Sequence, residues 1–508
     1  MAKQRDKDPA TRSANSGDGS AGQDTAADDA QPPVVDTEVT TEHSITLGGA
    51  ALHYTATAGT LVVRDERDMP RASIFHVSYT VPCDDPAERP LTFVFNGGPG
   101  SAALWLMLGA LGPRRVEVSD ATLAPAPPYR VVDNPHTLLD VTDLVFIDPV
   151  RTGLSRPEGE AKDDDFLGLE QDLASLAELI RLYVTRHARW ASPKYLAGES
   201  YGSMRAAGLL GTLHDKGMAF NGALLISVVL DLTTLLAAPH YDLPAILHLP
   251  SFAATAWYHG MVSGADSASG GAGDLAAFVD EVRTYATTEY TLALMRGARL
   301  PEDRAAAVAE AVHRYTGLSP RYVRNARLRL DTDRFCKELL RERGQTVGRL
   351  DSRFVGRDVD DAGEHCEHDP SLTAVLAPFN AAVQDHLRRE LKVVEDRPYL
   401  ALNLDANENW QWHGKGKIGG PSTVELLRKA MLQNPGLRLF VANGYFDLAT
   451  PFLAVEHTFD HLGLSAGDLD RVVMKYYEAG HMMYLHPPSL TALARDMHSF
   501  YTGERPAD

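Results

Sequence analysis

Only three cysteines, Cys83, Cys336 and Cys366, occur in 508 residues. At most one pair could bridge, so the disulfide framework that holds small secreted domains together is excluded. Long apolar runs are also missing: nothing approaches the ~18 consecutive apolar residues a membrane-spanning helix needs. Behind the charged start Met-Ala-Lys-Gln-Arg-Asp-Lys-Asp-Pro there is no apolar segment of a secretory signal, so the expected location is the cytoplasm. Positive charge is short, with 49 Lys plus Arg against 68 Asp plus Glu and a net charge of −19. Phosphate backbones and anionic lipids repel such a chain, which argues against nucleic-acid and membrane partners. From Met1 to Pro32 there is no Val, Ile, Leu, Phe, Tyr or Trp. Such a stretch buries too little apolar surface to offset its ordering entropy, and residues 1–42 are expected to form a disordered acidic tail.

What is present is ordinary for a folded enzyme-sized chain: 44% hydrophobic and 23% charged residues, enough for a large core. Strand patterns begin near Ser44, where Ile45, Leu47, Leu52 and Tyr54 alternate with polar or small residues. Leu91–Phe95, Val145–Ile147, Lys194–Ala197 and Leu224–Val229 read as buried strands. Helical spacing separates them, in Ala103–Leu111 with Ser101 as N-cap, Phe166–His187 and Ser203–His214. Alternating strands and helices imply a mostly parallel sheet flanked by helices. The rhythm stops over 232–397, which is mainly helical in pattern with a Ser/Gly/Ala linker at 263–273. Strand signals resume at Tyr399–Leu404, Leu437–Ala442 and Val472–Tyr476. The expected organisation is an α/β core over 43–231 and 398–508, interrupted by a helical cap over 232–397.

Gly198-Glu199-Ser200-Tyr201-Gly202 fits Gly-x-Ser-x-Gly with a strand before it and a helix after it. A serine on so sharp a turn is presented at the sheet edge, and small flanking residues let neighbouring chain pass. A serine hydroxyl needs a base held in one orientation. Asp447 and His481 follow later strands through short loops, at strand C-terminal ends where sites in parallel sheets lie. The glycines of Asn96-Gly97-Gly98-Pro99-Gly100 follow an early strand and can turn backbone N–H groups towards an oxyanion.

Asn96-Gly97-Gly98-Pro99-Gly100-Ser101, Asp148-Pro149-Val150 with Thr152-Gly153-x-Ser155, Gly198-Glu199-Ser200-Tyr201-Gly202, Asn443-Gly444-x-x-Asp447 and Gly480-His481-Met482 together resemble the serine carboxypeptidase family (peptidase family S10). The helical stretch between them resembles the cap of bacterial members. The resemblance implies an α/β-hydrolase fold with an inserted helical cap. It implies a hydrolase that releases C-terminal residues from peptides through an acyl-enzyme, without a metal or other cofactor. By resemblance Ser200 is the nucleophile, His481 the general base and acid, and Asp447 the group that orients it. Backbone N–H groups of Gly98 and Tyr201 match the oxyanion hole. Asn96 and Glu199, with Gly97 in the same loop, match the residues that hold the substrate's terminal carboxylate, and Met482 matches a wall of the leaving-residue pocket. Many secreted relatives have Trp where this chain has Val94, and Glu where it has Ala110. Arg151 stands where relatives commonly have Gly or Asn; it is either a surface arginine at a position that tolerates those residues or a candidate for the missing carboxylate donor. An esterase or acyltransferase working on non-peptide acyl groups with the same serine is the alternative.

Three other signals carry less. His365-Cys366-x-His368 has metal-ligand residue types but falls short of the four ligands of a structural zinc site, and a polar cap loop is expected. The eleven arginines between Arg314 and Arg357 are interleaved with Asp331, Asp333, Glu338, Glu342 and Asp351, as on a solvated, salt-bridged surface. Trp410 and Trp412 suit burial beside the returning strand at least as well as a groove beside His413.

Overall fold

The computed structural model describes residues 33–123, 126–236, 238, 240–262, 274–412 and 420–503. One ten-stranded sheet organises them. Its main strands are β1 (Thr37–Leu47), β2 (Ala50–Arg64), β3 (Pro70–Thr80), β4 (Leu91–Phe95), β5 (Asp143–Ile147), β6 (Lys194–Ser200), β7 (Gly222–Val228), β8 (Arg438–Gly444) and β9 (Val472–Tyr477). Their spatial order is β1-β2-β3-β5-β4-β6-β7-β8-β9, with the two-residue strand Arg156–Pro157 attached to β3. From β1 to β5 neighbours run antiparallel; from β5 to β9 every pair is parallel.

The parallel strands β4 to β8 are buried on both faces, as helical crossovers require, while the edge strand β9 is only partly covered. Along β4, Leu91, Phe93 and Phe95 enter one core, and Val94 enters the other. Helices α1 (Leu169–Arg186) and α2 (Tyr201–Asp215) supply Leu173, Leu176, Ile180, Leu209 and Leu213 to the first core. The segment 232–397 holds helices α3 (Leu243–Tyr258), α4 (Leu275–Tyr285), α5 (Glu302–Thr316) and α6 (Pro370–Asp385), with a hairpin of Thr346–Val347 and Val355–Gly356. A third core joins α3–α5 to Phe446, Leu448, Phe452 and Leu453, the last two in helix α7 (Phe452–Asp460). The chain then rejoins the sheet, where β8 lies beside β7 with Arg438 opposite Gly222.

Several local expectations need correction. The tail does not extend to residue 42: β1 starts at Thr37, because Thr37-Glu-Val-Thr-Thr-Glu-His alternates and is rich in β-branched residues that suit a pleated strand. Residues 1–32, the larger part of that tail, lie outside the described residues, as does the linker at 263–273. Tyr399–Leu404 is not a sheet strand; it makes only single bridges, Leu400 to Gly153 and Leu402 to Ser101, before a short helix begins at Leu404. Ser101 does not cap a helix. Its Oγ accepts from Trp105 Nε1 at 2.7 Å, and the helical turns run from Leu104 to Leu111 with a widened π-type turn from Met107. In the cap, His365 faces Asp333 while His368 faces Asp358, so the two imidazoles engage different carboxylates.

Candidate active site

Ser200 ends β6 and opens α2 with φ 60° and ψ −130°, a conformation costly for a residue with a side chain. Close packing forces the flanking glycines. A Cβ on Gly198 would lie 2.0 Å from the Gly202 carbonyl oxygen, and one on Gly202 would lie 2.7 Å from that of Phe95. The turn therefore sits against the end of β4, and Gly97 faces it so closely that a Cβ there would be 2.6 Å from Tyr201 N. Tyr201 N–H is among the first, unpaired N–H groups of α2, whose positive end favours an anion. Gly98, at φ 102°, lines the same cavity.

Asp447 and His481 follow β8 and β9. His481 Nδ1 donates to Asp447 Oδ2 at 2.7 Å, and both residues are buried. The other oxygen of Asp447 accepts from Ala449 N–H (2.8 Å) and Thr450 N–H (2.9 Å), while Thr450 Oγ1 donates to Oδ2 at 2.7 Å. With its oxygens so engaged, Asp447 can orient only one imidazole tautomer. Burial alone would lower the proton affinity of His481; Asp447, and more weakly Glu199, outweigh it and raise it.

Ser200, His481, Glu199, Asn96, Gly97, Gly98 and Met482 all line one cavity of about 240 Å³. Burial pushes Glu199 up to about 7. No acidic neighbour at Ala110 is needed for that; Ala110 is buried and its carbonyl accepts from Asn134 Nδ2. Glu199 Oε2 takes hydrogen bonds from Asn96 Nδ2 and from Tyr484 OH (3.1 Å), whereas its buried Oε1 has no partner among the described residues.

Arg151 departs from expectation. It does not line this cavity; its guanidinium lies against Asp163 (3.1 Å) and Asp405 (3.0 Å). Its backbone has φ 70°, the left-handed region where Gly and Asn are more at ease than Arg. Trp410 is buried, and it and Trp412 pack edge-on to the Tyr201 ring at 5.4 and 6.1 Å, so both act as packing behind the serine turn.

Residues outside the sequence motifs complete the surroundings. Arg205 is wholly buried; it donates to Asp172 Oδ2 (2.7 Å) and to the carbonyls of Asn96 and Gly97, and lies 4.9 Å from the Tyr201 ring centroid. It ties the serine helix to the glycine loop. The lone charge within the apolar run of α2 was its only signal in the sequence. Tyr484 and Thr450 each lie three residues beyond a triad member, and only folding shows where they point. Arg349, Leu350 and Leu372 reach the cavity from the cap.

A family described as serine carboxypeptidase matches residues 56–263. Carboxypeptidase Y homolog A of Coccidioides posadasii is 28% identical over 120 residues, 23% of this chain. The match spans only 20% of that relative's length. The crystal structure of Kex1(delta)p, a prohormone-processing carboxypeptidase from Saccharomyces cerevisiae, is similar with a TM-score of 0.52 at 16% identity, covering 89% of this chain and 91% of that one. The fold is that of the α/β-hydrolases, a mostly parallel central sheet with flanking helices. Among the described residues no helix is long and apolar enough to cross a membrane.

Proposed function

We propose that this protein is a serine-type carboxypeptidase that removes C-terminal residues from peptides. Ser200 attacks the last peptide carbonyl while His481 takes its proton, and the oxyanion is held by N–H groups of Gly98 and Tyr201. His481 then protonates the departing amine. Water, activated by the same imidazole, releases the acyl-enzyme. Asn96, Gly97 and Glu199 hold the end of the substrate, and Met482 lines the leaving-residue side.

The observation that carries this reading is Glu199. A buried carboxyl beside the nucleophile, with one oxygen unpartnered and its proton retained to about pH 7, suits a free carboxylate, to which a neutral Glu can donate. An enzyme for neutral ester ends has no use for so expensive a buried group. The family match over 56–263 and the similarity to a curated carboxypeptidase support the same activity. The absence of a disulfide framework, with Cys83, Cys336 and Cys366 all free, supports a bacterial-type member working in a reducing compartment.

The test is mass spectrometry of a mixed peptide library incubated with the protein. Single residues lost rapidly from free C-termini, and much more slowly from C-terminal amides, is the expected result. Turnover of simple esters with no peptide shortened would favour the esterase or acyltransferase alternative and reject the proposal.

A further inference from the structure

A short segment of the cap, 349–352, is bonded to the loops that carry both Asp447 and His481. Arg349 O accepts from Leu448 N–H (3.1 Å), and Ser352 N–H donates to Phe446 O (3.0 Å), so Asp447 is flanked on both sides. Leu350 O accepts from His481 N–H (2.6 Å), and Asp351 Oδ2 from Gly480 N–H (3.3 Å). Asp351 is itself fixed by a two-point contact with Arg353, at 3.0 and 2.6 Å. The backbone that carries Arg349 is therefore tied to the residues that carry Asp447 and His481.

Arg349 lines the Ser200 cavity, and it is the one Arg or Lys that does so among the described residues. Every other guanidinium near the site is committed: Arg151 to Asp163 and Asp405, Arg205 to Asp172, Arg353 to Asp351 and Asp120. Among the described residues no carboxylate or carbonyl accepts from the Arg349 side chain. It lies near enough for its charge to oppose protonation of His481.

Apart from His481, the other side-chain donors of the cavity are neutral, among them Asn96, Asn407 and Ser101. Asn96 gives one N–H to Glu199 and its Oδ1 takes Leu106 N–H (3.1 Å), so one amide N–H at most remains. Glu199 can donate only through Oε1, and only while it keeps its proton. A carboxylate placed against Glu199 without a counter-charge would be poorly compensated in a partly desolvated pocket.

We infer that Arg349 is the carboxylate receptor of this cavity: a guanidinium delivered by the cap and held by the triad loops to pair with a carboxylate of the residue being released. This rests on the carboxypeptidase reading and names what that site selects. Arginine suits the task because its planar fork meets both carboxylate oxygens at once. Arg349 is exposed, so solvent screens part of the interaction and the expected effect is about tenfold.

The experiment compares wild type with Arg349→Gln and Arg349→Lys on N-blocked dipeptides ending in Gln or Glu, each as the free acid and as the C-terminal amide. Beside it, calorimetry measures binding of 3-phenylpropionate and 3-phenylpropionamide. The Gln variant should raise KM for free acids about tenfold or more, leave kcat and the amides nearly unchanged, and weaken phenylpropionate alone; Lys should recover part of the loss. An effect on both free acids assigns the main-chain carboxylate, and one confined to Glu substrates assigns the side-chain carboxylate. Equal losses for acids and amides, or unchanged binding of phenylpropionate, would overturn the inference. If wild type shortens no peptide yet binds phenylpropionate through Arg349, the carboxypeptidase reading fails while the receptor stands.

Discussion

At the scale of single residues, the site joins two groups with opposite protonation requirements. In the proposed mechanism His481 must be neutral to accept the Ser200 proton, and its raised proton affinity moves the acidic limit of activity upward. Glu199 must be protonated to donate to a carboxylate, and it loses that proton through about pH 7. For a free-acid peptide, kcat/KM should therefore be bell-shaped and fall as pH rises past about 7. For an ester without a carboxylate the alkaline fall should be missing. Glu199→Gln keeps a donor that does not titrate, so pH profiles of this variant on a free acid should lose the alkaline limb; retention of that limb would assign it to another group. Removing the nucleophile is a cleaner test of the whole arrangement. Ser200→Ala leaves only the oxyanion donors and binding, and turnover should fall roughly 10³-fold or more with an unchanged thermal transition. The residues of these tests were legible in the sequence because each lies in a short motif directly after a strand. Arg349, Arg205 and Tyr484 were not, since none belongs to a motif that says where its side chain points, and only the folded contacts join them to the site.

At the scale of elements, the strands buried on both faces were the easiest to read, because β4, β5 and β7 are mostly apolar runs. The first part of β1 was under-read: Thr and Glu over Thr37–His43 look like loop, because no fully buried residue accompanies them before Ile45. Tyr399–Leu404 was over-read for the opposite reason, since its apolar residues pack without a ladder of hydrogen bonds. The cap also does more than cover. Its 349–352 segment approaches Gly480 so closely that an added Cβ would lie 2.4 Å from Asp351 Cβ. Gly480→Ala must push that segment or the His481 loop aside, and overpacking of this kind costs about 1–3 kcal/mol. Both stability and kcat should fall, because His481 is the next residue. Gly436→Ala, whose methyl would meet only Asn434 Oδ1 at 3.5 Å, is the control and should change neither by much. Paired thermal melts and kinetics of the two variants check this; an intact Gly480→Ala enzyme would mean that the contact between cap and triad loops is loose.

At the scale of the whole molecule, the alternation of strands and helices, its interruption and its resumption pointed to one sheet built from two separated stretches of chain. The strand order was not readable, because nothing in a parallel strand's sequence says which neighbour it will take. Stability, too, is a property of the whole, and buried carboxyls tie it to pH. Asp148 stands at a junction: its Oδ1 accepts from Ala103 N–H (2.8 Å) after the glycine loop and from Tyr399 OH (3.4 Å) in the returning segment. Burial raises it from 3.8 to about 7, against the hydrogen bonds that lower it. The unfolded chain would ionise it near 4, so between about pH 4 and 7 the unfolded state holds fewer protons than the folded one. Stability from this group is then lost as pH rises through that window, by up to about 1.4 kcal/mol per pH unit, on the order of 4 kcal/mol in all. Glu199, raised to about 7 by its own burial, acts in the same direction. His76, buried and lowered to about 4, acts in the opposite one, because the unfolded chain takes up its proton first as pH falls. The net curve therefore mixes both signs, and a variant must isolate the aspartate. Asp148→Asn cannot titrate, so whatever its stability at pH 4.5, it should gain on wild type steadily up to about pH 7 and run parallel above it. Urea unfolding of both proteins at half-unit pH steps measures that difference; a constant gap across the window would show that Asp148 is ionised in the folded protein throughout, and that its neighbours compensate a charge the burial alone would expel.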